Sequence, residues 1–269
     1  MPVAPITLIC LSLATLFVAL APIVLYRRLR KPFALDWRDT VAGIAVFALF
    51  ATVIERALNS YMLRYDSPVA SLLMHPAAFV AYGAIAAGVC EEVGRYIAMR
   101  LLARRAGTRS DAPRDSTGLG YGIGHGGAEA WFVGVLVQLQ WIVFAVLANR
   151  GELDPHLTHL PMNAVLRVHM VLATLSPQFA GVFVLERAVA LVFQIGLSVL
   201  MWRGVRAGSK TILPVAIVAH ALIDVPAAMY QARLATLPIV DGLYVVVAII
   251  MAVVLFRACR PNARIVRAA

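Results

Sequence analysis

The chain has 269 residues, 61% of them hydrophobic and 14% charged, with a formal net charge of +10 and a mean hydropathy of +0.83. Soluble domains carry about 25% charged residues, so this composition excludes an ordinary soluble enzyme and predicts a single polytopic membrane domain over 1–269. Cys10, Cys90 and Cys259 are scattered with no metal-type spacing, which argues against a cysteine metal centre and against a structural disulfide.

Seven apolar runs approach the ~20 residues that cross a bilayer as a helix: about 6–26, 40–62, 78–102, 119–148, 178–202, 211–231 and 238–257. They predict an all-α bundle of about seven transmembrane helices. The first run reads as a retained helix. No Lys or Arg precedes it, and Arg27, Arg28, Arg30 and Lys31 follow it, the reverse of a cleaved signal.

Basic residues sort by side. Loops after the first, third and fifth runs hold Arg27, Arg28, Arg30, Lys31 and Arg38, then Arg100, Arg104, Arg105, Arg109 and Arg114, then Arg203, Arg206 and Lys210; the tail holds Arg257, Arg260, Arg264 and Arg267. The opposite loops hold only Arg64, Arg150, Arg167 and Arg233. The positive-inside rule then predicts an outer N-terminus and a cytoplasmic C-terminus, in a prokaryotic-type inner or plasma membrane. The basic balance is therefore topology and lipid attraction, and no nucleic-acid partner is expected.

The outer segment from Asn149 to Pro177 is long for a loop. Asn163 to Leu175 has a helix-like apolar pattern and predicts a short interfacial helix. His156, His159 and His169 lie in the same segment, but histidines are common in loops, and metal binding there is not the expectation.

Charged groups inside the apolar runs are the informative residues: Glu55, Arg56, Glu91, Glu92, Arg95, His125, Glu129, Glu186, Arg187, His220 and Asp224. A charge at mid-bilayer costs roughly 2.5–3.5 kcal/mol on insertion scales, so such groups face the bundle interior and pair. Glu91 and Arg95, His125 and Glu129, and His220 and Asp224 are each four residues apart and so share a helix face. At 1.5 Å per residue, Glu91, His125, Glu129 and His220 reach one layer, roughly 9–15 Å from the cytoplasmic face. Structural ion pairs such as Glu92–Arg95 are the bland alternative. For Glu55–Arg56 and Glu186–Arg187, neighbours point in different directions, and each charge needs a partner that the sequence does not name.

Gly122-x-Gly124-x-x-Gly127 matches a dinucleotide fingerprint literally but opens a transmembrane helix rather than following a strand. Its glycines are better read as small residues that let helices approach closely and leave room for a substrate backbone beside His125.

These groups suit hydrolysis of a peptide bond, which needs an activated water and donors for the oxyanion. Glu91 or Glu92, one turn from Arg95, serves as base; His125 helps bind the water; His220 and Asp224 serve the oxyanion or the leaving amine. No GxSxG or HExxH motif is present. A zinc site with His125, Glu129 and His220 as candidate ligands stays open, though no cofactor is required. A proton- or ion-coupled transporter using Glu91, Glu129, His220 and Asp224 as a relay, and a non-catalytic membrane scaffold, are the competing classes.

Glu91-Glu92-x-x-Arg95, Tyr121-x-x-x-His125 and His220-x-x-x-Asp224 resemble the three motifs of the CAAX protease and bacteriocin-processing superfamily of glutamic intramembrane endopeptidases. Gly124-His-Gly-Gly-x-Glu-Ala130 and Glu186-Arg187 look most like its YhfC family of intramembrane proteases. The resemblance covers about 80–231, and the expected catalytic core is about 78–231. It implies that Glu91 activates water with His125, that His220 and Asp224 line the oxyanion side, and that Arg95 supports the site. It further implies a membrane-embedded or lipidated peptide or protein as substrate. The superfamily's arginine stands one position later relative to the first glutamate, so both glutamates remain candidates for the base. Asp224 replaces the usual Asn and must be protonated to donate. Glu129 has no counterpart in the three motifs, and pairing with Arg95 or a metal is its expected use.

Overall fold

The computed structural model describes residues 2–64, 68–106 and 114–259. Arg109, Arg260, Arg264 and Arg267, which entered the charge asymmetry, lie outside them.

Among the described residues every element is a helix. Seven are long and apolar enough to cross a membrane: α1 (Pro5–Arg30), α2 (Trp37–Met62), α4 (Pro76–Ala106), α5 (Ser116–Arg150), α8 (Pro177–Arg206), α9 (Ile212–Gln231) and α10 (Leu237–Ala258). Three short helices lie between them: α3 (Ala70–Leu73), α6 (Leu153–Leu157) and α7 (Met162–Thr174). The protein is a polytopic, all-α membrane protein, and the spans fall where the apolar runs predict them. A short helix stands where the sequence predicts one: α7 buries Val168 and Leu172 and exposes Met162, Leu166 and Met170.

The helix ends follow local chemistry. Pro5, Pro76 and Pro177 open their helices, where a missing N–H leaves no bond unmade and φ is already helical. Gly151 ends α5 in the left-handed region at φ 75°, a conformation that suits glycine. Asp36 caps α2, its side chain accepting from the Arg38 amide at 3.0 Å, and also accepts from Arg105 near the end of α4. Two spans contain a π-helical turn, Phe50–Glu55 in α2 and Ala130–Val135 in α5.

The chain divides into two compact units. The first comprises Met1–Ala21 and Glu129–Ala188. Its core gathers Leu11, Val18, Val135, Ala145, Leu153, Leu172 and Phe183 around the start of α1. Asn149 ties down the N-terminal segment, accepting from the Val3 amide at 2.6 Å and donating to the Val3 carbonyl at 2.8 Å.

The second unit comprises Pro22–Ala128 and Val189–Ala269. Within it α9 packs along α4, and α2 packs on α4 beside it. The three cysteines are free.

Candidate active site

Four helices of the second unit supply the site, and glycine determines how close they come. A Cβ on Gly88 of α4 would lie 2.9 Å from the Ile217 carbonyl oxygen, so the α9 backbone lies directly on α4 and carries His220 over Glu92. The glycine-rich start of α5 has two small faces. Gly118, Gly122 and Gly126 meet Trp202, Ile195 with Ser198, and Leu191 with Gln194 on α8. Gly124 meets the Thr40 backbone of α2, while Gly43 of α2 meets the backbone of Tyr121 and His125. The small-residue reading of these glycines holds: no larger residue permits such backbone contact.

Those approaches bring together groups far apart in sequence. His125 Nε2 stands 2.9 Å from Glu91 Oε2, and His220 Nδ1 stands 2.7 Å from Glu92 Oε1. An ionised carboxylate only accepts, so each of these ring nitrogens carries the proton of its hydrogen bond. The second nitrogen of His220 faces Asp224 Oδ2 at 3.4 Å. His125 is fully buried. Phe47 meets its ring edge-on at a centroid distance of 5.2 Å, and Tyr121 stacks on it at 5.7 Å, which holds the imidazole plane.

Arg95 is fully buried. Its Nη1 lies 2.5 Å from Glu92 Oε1, whereas its Nη2 remains 3.9 Å from Glu91 Oε2. The two glutamates are thus treated differently. Glu92 is fully enclosed and shared by Arg95 and His220. Glu91 retains 7% exposure, and its hydrogen bonds converge on Oε2 alone.

Gln194 of α8, which the motif reading missed, completes the cluster. Its Nε2 donates to Glu91 Oε2 at 3.1 Å, and its Oε1 accepts from Arg95 Nη2. The available signal was an amide in an otherwise apolar stretch of α8, without the charge that singled out its neighbours.

The remaining candidates lie elsewhere. Glu129 and Arg187 belong to the first unit and pair at 3.2 Å, each half-buried. Arg95 engages Glu91, Glu92 and Gln194, so the Arg95–Glu129 pairing anticipated from sequence gives way to Arg187–Glu129. Glu186 is half-buried beside Arg187 on α8. Glu55 accepts from Asn59 Nδ2 at 3.3 Å, and Tyr82 donates to Asn59 at 2.7 Å. Outside the spans, His169 pairs with Asp154 at 2.8 Å and His156 Nδ1 meets the Glu152 carbonyl at 2.7 Å.

Zinc asks for three or four nitrogen, sulfur or oxygen ligands converging on one point at about 2.0–2.3 Å. Among the described residues no three such side chains converge. The two histidines address different glutamates, and the Arg95 cation bonds Glu92 while lying 3.9 Å from Glu91 Oε2.

Comparison with known proteins agrees with the resemblance to the YhfC family. A family model described as YhfC intramembrane metalloprotease matches residues 17–250. The uncharacterised membrane protein YhfC of Bacillus subtilis (strain 168) is 30% identical over 222 residues, which cover 82% of this chain and 84% of that protein. No solved structure matches.

Proposed function

Since the chain belongs to the YhfC intramembrane metalloprotease family, we propose that it is an intramembrane endopeptidase in which Glu91, aligned by His125, activates the hydrolytic water. The observation that carries this reading is the asymmetry of the Glu91 carboxylate. His125 and Gln194 both bond Oε2, which leaves Oε1, on the more exposed glutamate of the pair, to take a proton from water.

The chemistry follows from these positions. Glu91 Oε1 removes a proton from water as its oxygen attacks the scissile carbonyl carbon. The carbonyl becomes an oxyanion, which needs donors aimed at it in a dry site. His220, as an imidazolium whose Nδ1–H is held by Glu92, supplies the second N–H, on the Nε2 that faces Asp224. The proton held by Glu91 then passes to the leaving amine as the C–N bond breaks. Arg95 positions Glu92, and through Glu92 it fixes His220. A substrate strand held within the membrane, or tethered to it by a lipid, suits a site built inside spanning helices.

The family description names a metal, and the residues gathered here do not fit one. Arg95 already supplies the positive charge that a dication would bring, and His125 and His220 are committed to separate glutamates. The mechanism above therefore uses only the chain's own side chains.

The test is cleavage of a transmembrane peptide library by purified protein in bilayers, comparing wild type with Glu91→Gln, Glu92→Gln and His220→Ala, with and without a chelator. Loss of cleavage in Glu91→Gln and in His220→Ala, together with insensitivity to chelation, is expected. Chelator-sensitive cleavage would replace the glutamate mechanism with a metal one, and silence of folded wild type across the library would sink the peptidase reading.

A further inference from the structure

We infer that Gln194 is a positioning residue of the proposed reaction: its amide keeps the Arg95 guanidinium off Glu91 and fixes which carboxylate oxygen faces the water. The inference rests on the peptidase reading and names a residue that none of the three motifs contains.

Arg95 lies within one helical turn of both glutamates, three residues after Glu92 and four after Glu91. Left to itself, a guanidinium beside two carboxylates bonds both, because its forked N–H groups match carboxylate geometry. Here it bonds one. Nη1 takes Glu92 at 2.5 Å, and Nη2, the nitrogen nearer Glu91, is 3.9 Å from it because Gln194 Oε1 already accepts from Nη2.

The other end of the same amide performs a second task. Nε2 donates to Glu91 Oε2 at 3.1 Å, alongside His125 at 2.9 Å. A neutral amide can accept from a cation and donate to an anion at once. A carboxylate in its place could not donate, and an ammonium could not accept. The two partners also dictate the orientation of the amide, since the reverse would set NH2 against guanidinium and oxygen against carboxylate.

The backbone fits this role. Gln194 is buried at 5% exposure, and a Cβ on Gly126 would lie 3.0 Å from its Cβ. The glycine stripe of α5 thus brings this position of α8 up to Glu91 and Arg95. The result is a carboxylate with both donors on one oxygen and the cation held one bond away.

The experiment measures kcat, KM and thermal stability for wild type, Gln194→Met and Gln194→Glu in bilayers, with Glu91→Gln as the inactive reference. Methionine keeps the volume and removes both hydrogen bonds. Glutamate keeps the acceptor and removes the donor. A hydrogen bond to a charged group is worth enough to predict a fall in kcat of about 10- to 100-fold for Gln194→Met, with KM within about threefold and the melting temperature unchanged. Gln194→Glu should fall at least as far, because it adds an anion beside Glu91. An unchanged kcat in either folded variant overturns the inference, as does a loss that merely follows falling thermal stability. Should Gln194→Met fail to fold, Gln194→Glu decides by the same criteria. Wild-type cleavage with undiminished Gln194 variants sinks this inference alone. Absence of cleavage by wild type sinks the peptidase reading and takes the inference with it.

Discussion

Each unit of the molecule buries charge among apolar helices, and the two arrangements differ in kind. In the first, Glu129 and Arg187 form a 3.2 Å ion pair, with side chains 16% and 19% exposed. In the second, Glu91, Glu92, Arg95, His125, Gln194 and His220 form one connected network in which Arg95 and Glu92 are fully enclosed. An ion pair of this kind neutralises charges that helices must carry past lipid. A network of this size exceeds what neutralisation requires, because every buried ion carries a desolvation cost of several kcal/mol and an apolar replacement is often as stable. On the proposed function, the difference separates charge that secures helices from charge arranged for chemistry.

The sharpest way to break that distinction is to remove one carboxylate from each unit. Glu91→Gln should lower cleavage by about 10²- to 10⁴-fold, the usual contribution of a general base. Glu129→Gln should leave the rate per folded molecule within about threefold of wild type while costing about 1–3 kcal/mol of stability. Initial rates of peptide cleavage and thermal unfolding read both, and equal rate losses in the two variants would erase the distinction.

A smaller effect is expected at the glycines. In Gly124→Ala the new Cβ meets the Thr40 carbonyl, so His125 must move; about 10²-fold in rate and roughly 1–3 kcal/mol in stability should be lost. Gly181 on α8 in the first unit has nothing within 4 Å of a Cβ. Gly181→Ala should therefore leave the rate unchanged and stabilise the helix by up to about 1 kcal/mol. Equal behaviour of the two alanine variants would show that close approach is not what the glycines provide.

Smaller again is the outcome of exchanging charges. Glu129→Arg combined with Arg187→Glu should restore stability to within about 1 kcal/mol of wild type, because reversing both charges keeps the ion pair. The same exchange at Glu92 and Arg95 should not restore cleavage, since His220 and Gln194 would then face the wrong partners.

A last expectation, away from both charge arrangements, concerns Cys259, just beyond α10. Burial and the Asp115 carboxylate push its thiol up to about 11, with Arg203 opposing. The thiolate is the reactive form, so at pH 8 alkylation by a maleimide should be about 10²-fold slower than for an exposed cysteine until the protein is denatured.

Much of this was legible in the sequence because membrane helices advertise themselves. The seven spans follow from apolar runs alone, and Glu91, Glu92, Arg95, His125, His220 and Asp224 stand out because ionisable groups are rare there. The pairing was not legible. Helical periodicity relates His125 to Glu129 and His220 to Asp224 within a helix, but only packing decides that His125 reaches Glu91 and His220 reaches Glu92. Glu129 shares a stripe with His125, yet it pairs with Arg187 in the first unit. Gln194 carries no charge and so raised no alarm. The π-helical turns at Phe50–Glu55 and Ala130–Val135 have no residue signature at all, since any apolar stretch accommodates one extra residue per turn.

The contact between α2 and the start of α5 has a further consequence. Gly43 and Gly124 leave each helix against the other's main chain, at Tyr121 and His125 on one side and at Thr40 on the other. A seam closed at the level of peptide groups admits neither lipid nor an extended chain, and side-chain rotation cannot open it. On the proposed function, a polypeptide substrate would therefore reach Glu91 by a different edge of the site.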